Sequence, residues 1–274
     1  LTPKARKRVS SRKPKKYFDK YALYKKAVQS PDVDAEFLQG VYKELRGKDP
    51  ISFREDFCGT FALSCEWVKL GSRMIAHGVD LDPEPLEYGR HQYLGKLSPA
   101  QKERLHLMEG NVQTADMPLV DLAAAMNFSY FIFQTRDEMK KYFSNVFRSL
   151  KDKGVFVVDL FGGSLCQDAF EEKTNKGGFT YYWDQESFDP VTHRAIFHIH
   201  FRLKGKPRQD RVFTYDWRMW SLPEIREIML DVGFTKTHVY WEGSNKSGGG
   251  NGVFTRTEKG EACQSWIAYV VGEK

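Results

Sequence analysis

Arg54-Glu55-Asp56-Phe57-Cys58-Gly59-Thr60-Phe61 and, further along, Gly78-Val79-Asp80-Leu81-Asp82-Pro83 decide how this chain reads. Each stretch closes a short strand-like run (Ile51–Phe57, then Arg73–Asp80) and opens a helical pattern (Thr60–Leu70, then a helix from Pro83). In an open α/β sheet, ligands lie beyond the carboxyl ends of the strands, near the reversal of strand order. A tight turn at Gly59 lets backbone N–H groups and a helix N-terminus face a carboxylate, which makes Cys58, Gly59 and Thr60 candidate contacts. Glu55 is a candidate for holding a ligand ammonium. Asp80, with Leu81 beside it, ends the second strand, where an acid accepts hydrogen bonds from ribose hydroxyls. Twenty-five positions separate Glu55 from Asp80, close to the roughly 20 of a nucleotide-binding unit. Asp82 reads as the N-cap before Pro83.

Working outward, Leu105–Glu109 predicts a third strand, and Val120–Phe133 a fourth strand with its exit loop. Arg136–Leu150 predicts an amphipathic helix closed by Lys151–Gly154, and Val155–Phe161 an apolar fifth strand interrupted by Asp159. Such alternation implies a parallel sheet with helices on both faces. Between about 170 and 220 the rhythm changes to antiparallel strands: Phe179–Trp183, Arg194–Leu203 and Arg211–Trp217. Ser221 and Glu224 then form a capping box that starts a helix. Phe234–Trp241 and Ser265–Val271 follow as strands, joined by the Gly-rich stretch 243–252, which lacks phosphate-loop spacing and reads as a flexible hairpin. The expected organisation is a basic tail over 1–16, a helical cap over 17–48, and a catalytic domain over 49–274 with the insertion inside it. In the cap, Tyr17, Tyr21 and Tyr24 share one helix face.

After the third and fourth strands come Glu109-Gly110-Asn111-Val112 and Asn127-Phe128-Ser129-Tyr130. Asn111 offers donor and acceptor to an adenine edge, with Val112 beside it. With these motifs at four successive strand ends, residues 50–271 resemble the class I S-adenosylmethionine-dependent methyltransferases. Glu55–Phe61 is similar to their glycine-rich first motif, with Phe57 and Phe61 where two glycines are usual. Gly78-Val79-Asp80 is similar to the ribose-holding motif, Gly110-Asn111 to the adenine-bracketing motif, and Asn127-Phe128-Ser129 to the loop beside the methionine moiety. The resemblance implies an α/β, doubly wound, mostly parallel seven-stranded sheet with an antiparallel insertion after the fifth strand. It also implies an enzyme that takes S-adenosyl-L-methionine as cofactor.

Methyl transfer from a sulfonium is an in-line displacement governed by positioning, and aromatic walls suit its charge. His198 and His200, two apart on a strand, share a face; with Tyr24 they are the candidate catalytic groups. A metal there lacks a third ligand in the sequence. Tyr130, Trp183, Arg218 and Trp220 are candidate acceptor contacts, Arg218 having a pairing with Asp216 as its alternative.

Residues 1–16 carry eight basic side chains and no acid, leaving 34 basic against 36 acidic residues elsewhere. The surplus charge of +6 therefore belongs to the tail. A small-molecule acceptor is the leading expectation. A nucleic-acid acceptor reached through the tail and a non-catalytic cofactor-binding protein are the alternatives. Cys58, Cys65, Cys166 and Cys263 form no C-x-x-C pair, so reduced thiols and a cytoplasmic setting are expected. No run is long enough to span a membrane. No secretory signal is visible, and the chain opens on Leu1 rather than Met, which leaves a leader open.

Overall fold

The computed structural model describes residues 18–245 and 248–274. Two helices come first, α1 (Lys20–Val28) and α2 (Pro31–Arg46). Asp19 caps α1 through the Ala22 amide, and Gly47, left-handed at φ 68°, ends α2. Tyr17 and the basic tail lie outside the described residues.

The central sheet runs β11-β10-β12-β5-β4-β1-β2-β3. Its parallel members are β1 (Ser52–Asp56), β2 (Ile75–Asp80), β3 (Leu105–Glu109), β4 (Val120–Ala125) and β5 (Leu150–Gly162). The antiparallel finish is β10 (Lys236–Ser244), β11 (Gly250–Thr257) and β12 (Trp266–Glu273). The sheet thus has one strand more than the seven expected. The Gly-rich stretch does turn back at Asn245–Gly249, but the returning chain pairs with β10 as an added edge strand. Residues 151–154, expected as a turn, belong to the start of β5, with Lys153 left-handed and the register against β4 shifted.

Between the strands lie α3 (Ala62–Trp67), α4 (Pro83–Tyr93), α5 (Pro99–Lys102), α6 (Arg136–Ser149) and α7 (Leu222–Asp231). In α6, Met139, Tyr142, Phe143 and Val146 recur at helical spacing and all are buried, so one stripe of the helix seals one face of the sheet. Phe53, Trp67, Leu38 and Val157 belong to the core on the other face. Each face therefore has its own apolar cluster, and the strands between them are buried on both sides, as parallel strands are.

The insertion is a four-stranded antiparallel meander: β6 (Phe170–Asn175), β7 (Phe179–Phe188), β8 (Arg194–Leu203) and β9 (Gln209–Arg218). β6 has polar residues at most positions and is largely exposed, which is why its pattern did not predict a strand. α1 bridges the two sheets. Tyr21 packs on Tyr88 of α4 and on Phe213 of β9, and Lys20 pairs with Glu84 at 2.8 Å.

Candidate active site

β1 lies between β2 and β4, so the strand order reverses beside it and the turn after it faces the crevice of the sheet. In that turn Phe57, Gly59 and Phe61 are left-handed, at φ 57°, 51° and 49°. These are the positions of the three glycines in the motif this segment resembles. The backbone shape is therefore kept although two side chains are large, at a cost of order 1–3 kcal/mol for each phenylalanine. Packing offsets it: Phe61 is fully buried, and the Phe57 ring sits 5.5 Å from Tyr142 and 5.9 Å from Phe133. Gly59 opens outward, and a Cβ there would meet nothing within 4 Å.

The Gly59 amide donates to Asp80 Oδ2 at 2.6 Å, and the Asp82 amide to Oδ1 at 2.9 Å. Both strand-end motifs are thereby joined through one carboxylate. Burial pushes the Asp80 carboxyl above its ordinary range. Asp82 caps α4 through the Glu84 amide, as expected. Thr60 is half-buried, and Cys58 is buried beneath the turn with its amide on the Val79 carbonyl.

Glu55 requires a correction. Its Oε2 accepts from the Ser64 amide (2.9 Å) and hydroxyl (2.6 Å), and it is only 5 % exposed. It fastens α3 to β1 from below instead of presenting itself to a ligand, and burial pushes its carboxyl up to about 8. On the opposite face of β1, Arg54 binds Asp56 at 2.7 Å and Ser149 at 2.6 Å, and the Tyr142 hydroxyl donates to Asp56 at 2.9 Å. This closed, buried network ties the turn to α6 and satisfies every charge it buries.

Asn127 and Phe128, after β4, are also left-handed, at φ 59° and 58°. Their successive amides donate to Asp159 Oδ2 (2.7 Å) and Oδ1 (2.9 Å). Asp159 is therefore a positioning residue that motif reading missed, and its signal was an acid inside an apolar strand. Burial raises Asp159 to about 7 and Asp34, in the first turn of α2, to about 6. Asp34 adds repulsion to both Glu55 and Asp159.

Two cavities open here. One, of about 500 Å³, is lined by Phe57, Asp80, Leu81, Asn111, Val112 and Phe133. Leu81 is 66 % exposed, and Asn111 Oδ1 accepts the Gln113 amide at 2.9 Å. The second, of about 230 Å³, is walled by Tyr24, Phe161, Tyr181, Trp183, Tyr215 and Trp217, with Asn127 and Phe128 at its base. The loop after β4 joins them: Asn127 and Phe128 line one, and Ile132 and Phe133 the other.

Several expected contacts are elsewhere. Tyr130 is fully buried with its hydroxyl on the Asp159 carbonyl at 2.9 Å, and Trp220 is buried with its indole N–H on the Phe133 carbonyl at 3.1 Å. Both are core residues, not acceptor contacts. Arg218 bonds Glu224 at 3.0 Å and the Gln134 carbonyl at 3.2 Å while its guanidinium lies over Trp220, and Asp216 pairs with Arg194. Arg218 thus fastens α7 to the loop before α6, and its pairing with Asp216 is not formed.

His198 and His200 do share a face, but it is the wrong one. Ile199, between them, lines the aromatic cavity, and strand alternation sends its neighbours to the other side. There His198 meets Thr214 at 2.9 Å and Glu186, and His200 meets Asp184 and Asp210, each at 3.1 Å. Both are buried and far from a catalytic role. The fold brings Glu171 and Asp184 to His200, ligand atoms within 4.8 Å of one another. The Arg208 guanidinium, bonded to Glu171, supplies the positive charge for this cluster.

No protein-family model and no curated protein matches the sequence. Solved structures do match in fold. An S-adenosylmethionine-dependent methyltransferase from Clostridium acetobutylicum is 18 % identical with a TM-score of 0.64, over 92 % of this chain and 96 % of that one. CalS10, an amino pentose methyltransferase from Micromonospora echinaspora solved with its cofactor bound, is 16 % identical with a TM-score of 0.66, over 94 % and 98 %. KedS8, a sugar N-methyltransferase from Streptoalloteichus, is 15 % identical with a TM-score of 0.61, over 94 % and 93 %. The chain has the α/β fold of these methyltransferases, with a large mostly parallel sheet and a separate antiparallel one.

Proposed function

We propose that this protein is an S-adenosylmethionine-dependent methyltransferase whose acceptor is a small molecule enclosed beneath the β6–β9 meander. The observation that carries this reading is the meeting of two unlike cavities at the loop Asn127–Phe133. The larger has the residues for a nucleoside: Asp80 for ribose hydroxyls, Asn111 for the adenine edge, and apolar Leu81 and Val112 beside it. The open space at Gly59 fits the amino-acid end of the cofactor. The aromatic cavity, of about 230 Å³, has room for a small molecule, which supports a small acceptor.

When bound, the cofactor supplies an electrophilic methyl group on a sulfonium. The chain's own work is positional. Asp80 and the Gly59 turn fix the donor, the Asp159-held amides fix the loop between the cavities, and the aromatic walls hold the acceptor and exclude water. Holding two reactants in line can contribute up to about 7–11 kcal/mol to such a step. Tyr24 is retained as a group that touches the acceptor.

Calorimetry with S-adenosylhomocysteine tests the proposal. Micromolar binding is expected for the native chain, weakened at least about tenfold, or 1.4 kcal/mol, by Asp80→Ala. Folded native protein that takes up neither the cofactor nor its spent form would overturn it.

A further inference from the structure

Given the function proposed above, we propose that the acceptor is an amine, drawn into the aromatic cavity as its ammonium and attacking as the free base. The walls come from strand alternation. On β9, Phe213, Tyr215 and Trp217 project to one face, and on β7 Trp183 stands opposite Ile199. Tyr215 stacks on Trp217 at 4.4 Å, and Trp183 lies 6.3 Å from each of Phe161, Tyr215 and Trp217. Aromatic rings crowded around one small space attract a cation through the quadrupoles of the faces that stacking leaves uncovered. The charged residue in the lining is Glu172, and among the described lining residues there is no lysine, arginine or histidine. A carboxylate or phosphate acceptor would thus find no partner, whereas an ammonium finds both rings and a carboxylate.

The same lining favours an amine over a hydroxyl acceptor. Attack by an alcohol or phenol needs a base within hydrogen-bond reach to take its proton. His198 and His200 face away. Asp159, holding the Asn127 and Phe128 amides, does not line the cavity, and Glu172, the carboxylate among the described lining residues, serves an ammonium as its counter-ion. Tyr24, pushed up to about 12 by burial, and Tyr215, pushed higher, keep their protons. An amine needs none of these. Beside a sulfonium, a second positive charge is disfavoured, so the ammonium gives its proton to solvent water at the cavity mouth before it seats beside the cofactor. The nitrogen lone pair then forms the N–C bond as the C–S bond breaks. The bonding pair stays on sulfur as a neutral thioether, and the new N-methylammonium loses its proton to water.

The test uses choline, its neutral isostere 3,3-dimethylbutan-1-ol and the anion 3,3-dimethylbutyrate. Each is titrated into the full chain, with and without S-adenosylhomocysteine, by the fluorescence of Trp183 and Trp217. Choline is expected to bind at least about tenfold tighter than the alcohol, and the anion weakest. Glu172→Gln, at an exposed position, is expected to cut choline binding about three- to fivefold and leave the alcohol unchanged. Equal affinities, undetectable binding of all three, or preference for the anion would overturn the proposal. Failure to bind S-adenosylhomocysteine would instead strike the methyltransferase reading, since the choline comparison is also made without it. A screen of matched amines and alcohols for cofactor turnover is the second readout, and turnover of alcohols with none of amines would also overturn it.

Discussion

At the scale of single residues, the site rests on backbone conformation more than on side-chain identity. Phe57, Gly59 and Phe61 adopt the same left-handed shape, and a Cβ at Gly59 would enter open space. Gly59→Ala should therefore leave a folded chain, with a Tm loss of roughly 2–4 °C from the strained φ, while S-adenosylhomocysteine affinity falls at least about tenfold. Calorimetry beside a melting curve separates the two effects. Glu55 makes a pH prediction. Its folded value of about 8 stands above its ordinary 4.5, so the folded state holds a proton that the unfolded state has released. Stability from this group is complete below about 4.5 and is lost as pH rises through about 8. Glu55→Gln keeps an acceptor for Ser64 and removes the titration. Relative to the native chain it should gain Tm progressively between pH 5 and 8.5, most at the alkaline end. Melting curves across that range would refute the account if the two proteins ran parallel.

At the scale of elements, strand parity decides which residues can take part. In β8, Ile199 looks into the aromatic cavity while His198 and His200 look out. His198→Gln and His200→Gln should therefore leave S-adenosylhomocysteine and choline affinities within about twofold. Each should lower Tm by roughly 2–6 °C, since each breaks buried hydrogen bonds worth about 1–2 kcal/mol. A tenfold loss of either affinity with Tm unchanged would return the histidines to the site. The elements themselves were largely legible. The capping box at Ser221 and the Pro83 helix start fall where local chemistry puts them. β6 and β11 were not legible, because edge strands need no apolar alternation: their backbone pairing is specified by the neighbour, not by their own side chains.

At the scale of the whole molecule, the body and the tail make separable claims. Removing residues 1–16 takes away eight positive charges, while the described lining residues of both cavities come from the body of the chain. Truncated protein should keep its affinity for S-adenosylhomocysteine and choline within about twofold, with little change in salt dependence. A steep loss with rising salt, seen only in the full chain, would favour a polyanionic acceptor instead. The amino-acid sequence by itself determined the alternation of strand and helix and the strand-end positions of Gly59, Asp80, Asn111 and Asn127. Those follow from local periodicity, turn chemistry and capping, which act within a few residues. The tertiary structure alone decided that Asp80 joins two motifs and that Asp159 fastens a third. It also decided that Trp220, Tyr130 and Arg218 serve packing while Tyr215 and Phe161 wall a cavity. Such roles depend on which residues from distant segments meet, and in a strand a shift of one position exchanges the buried face for the opposite one.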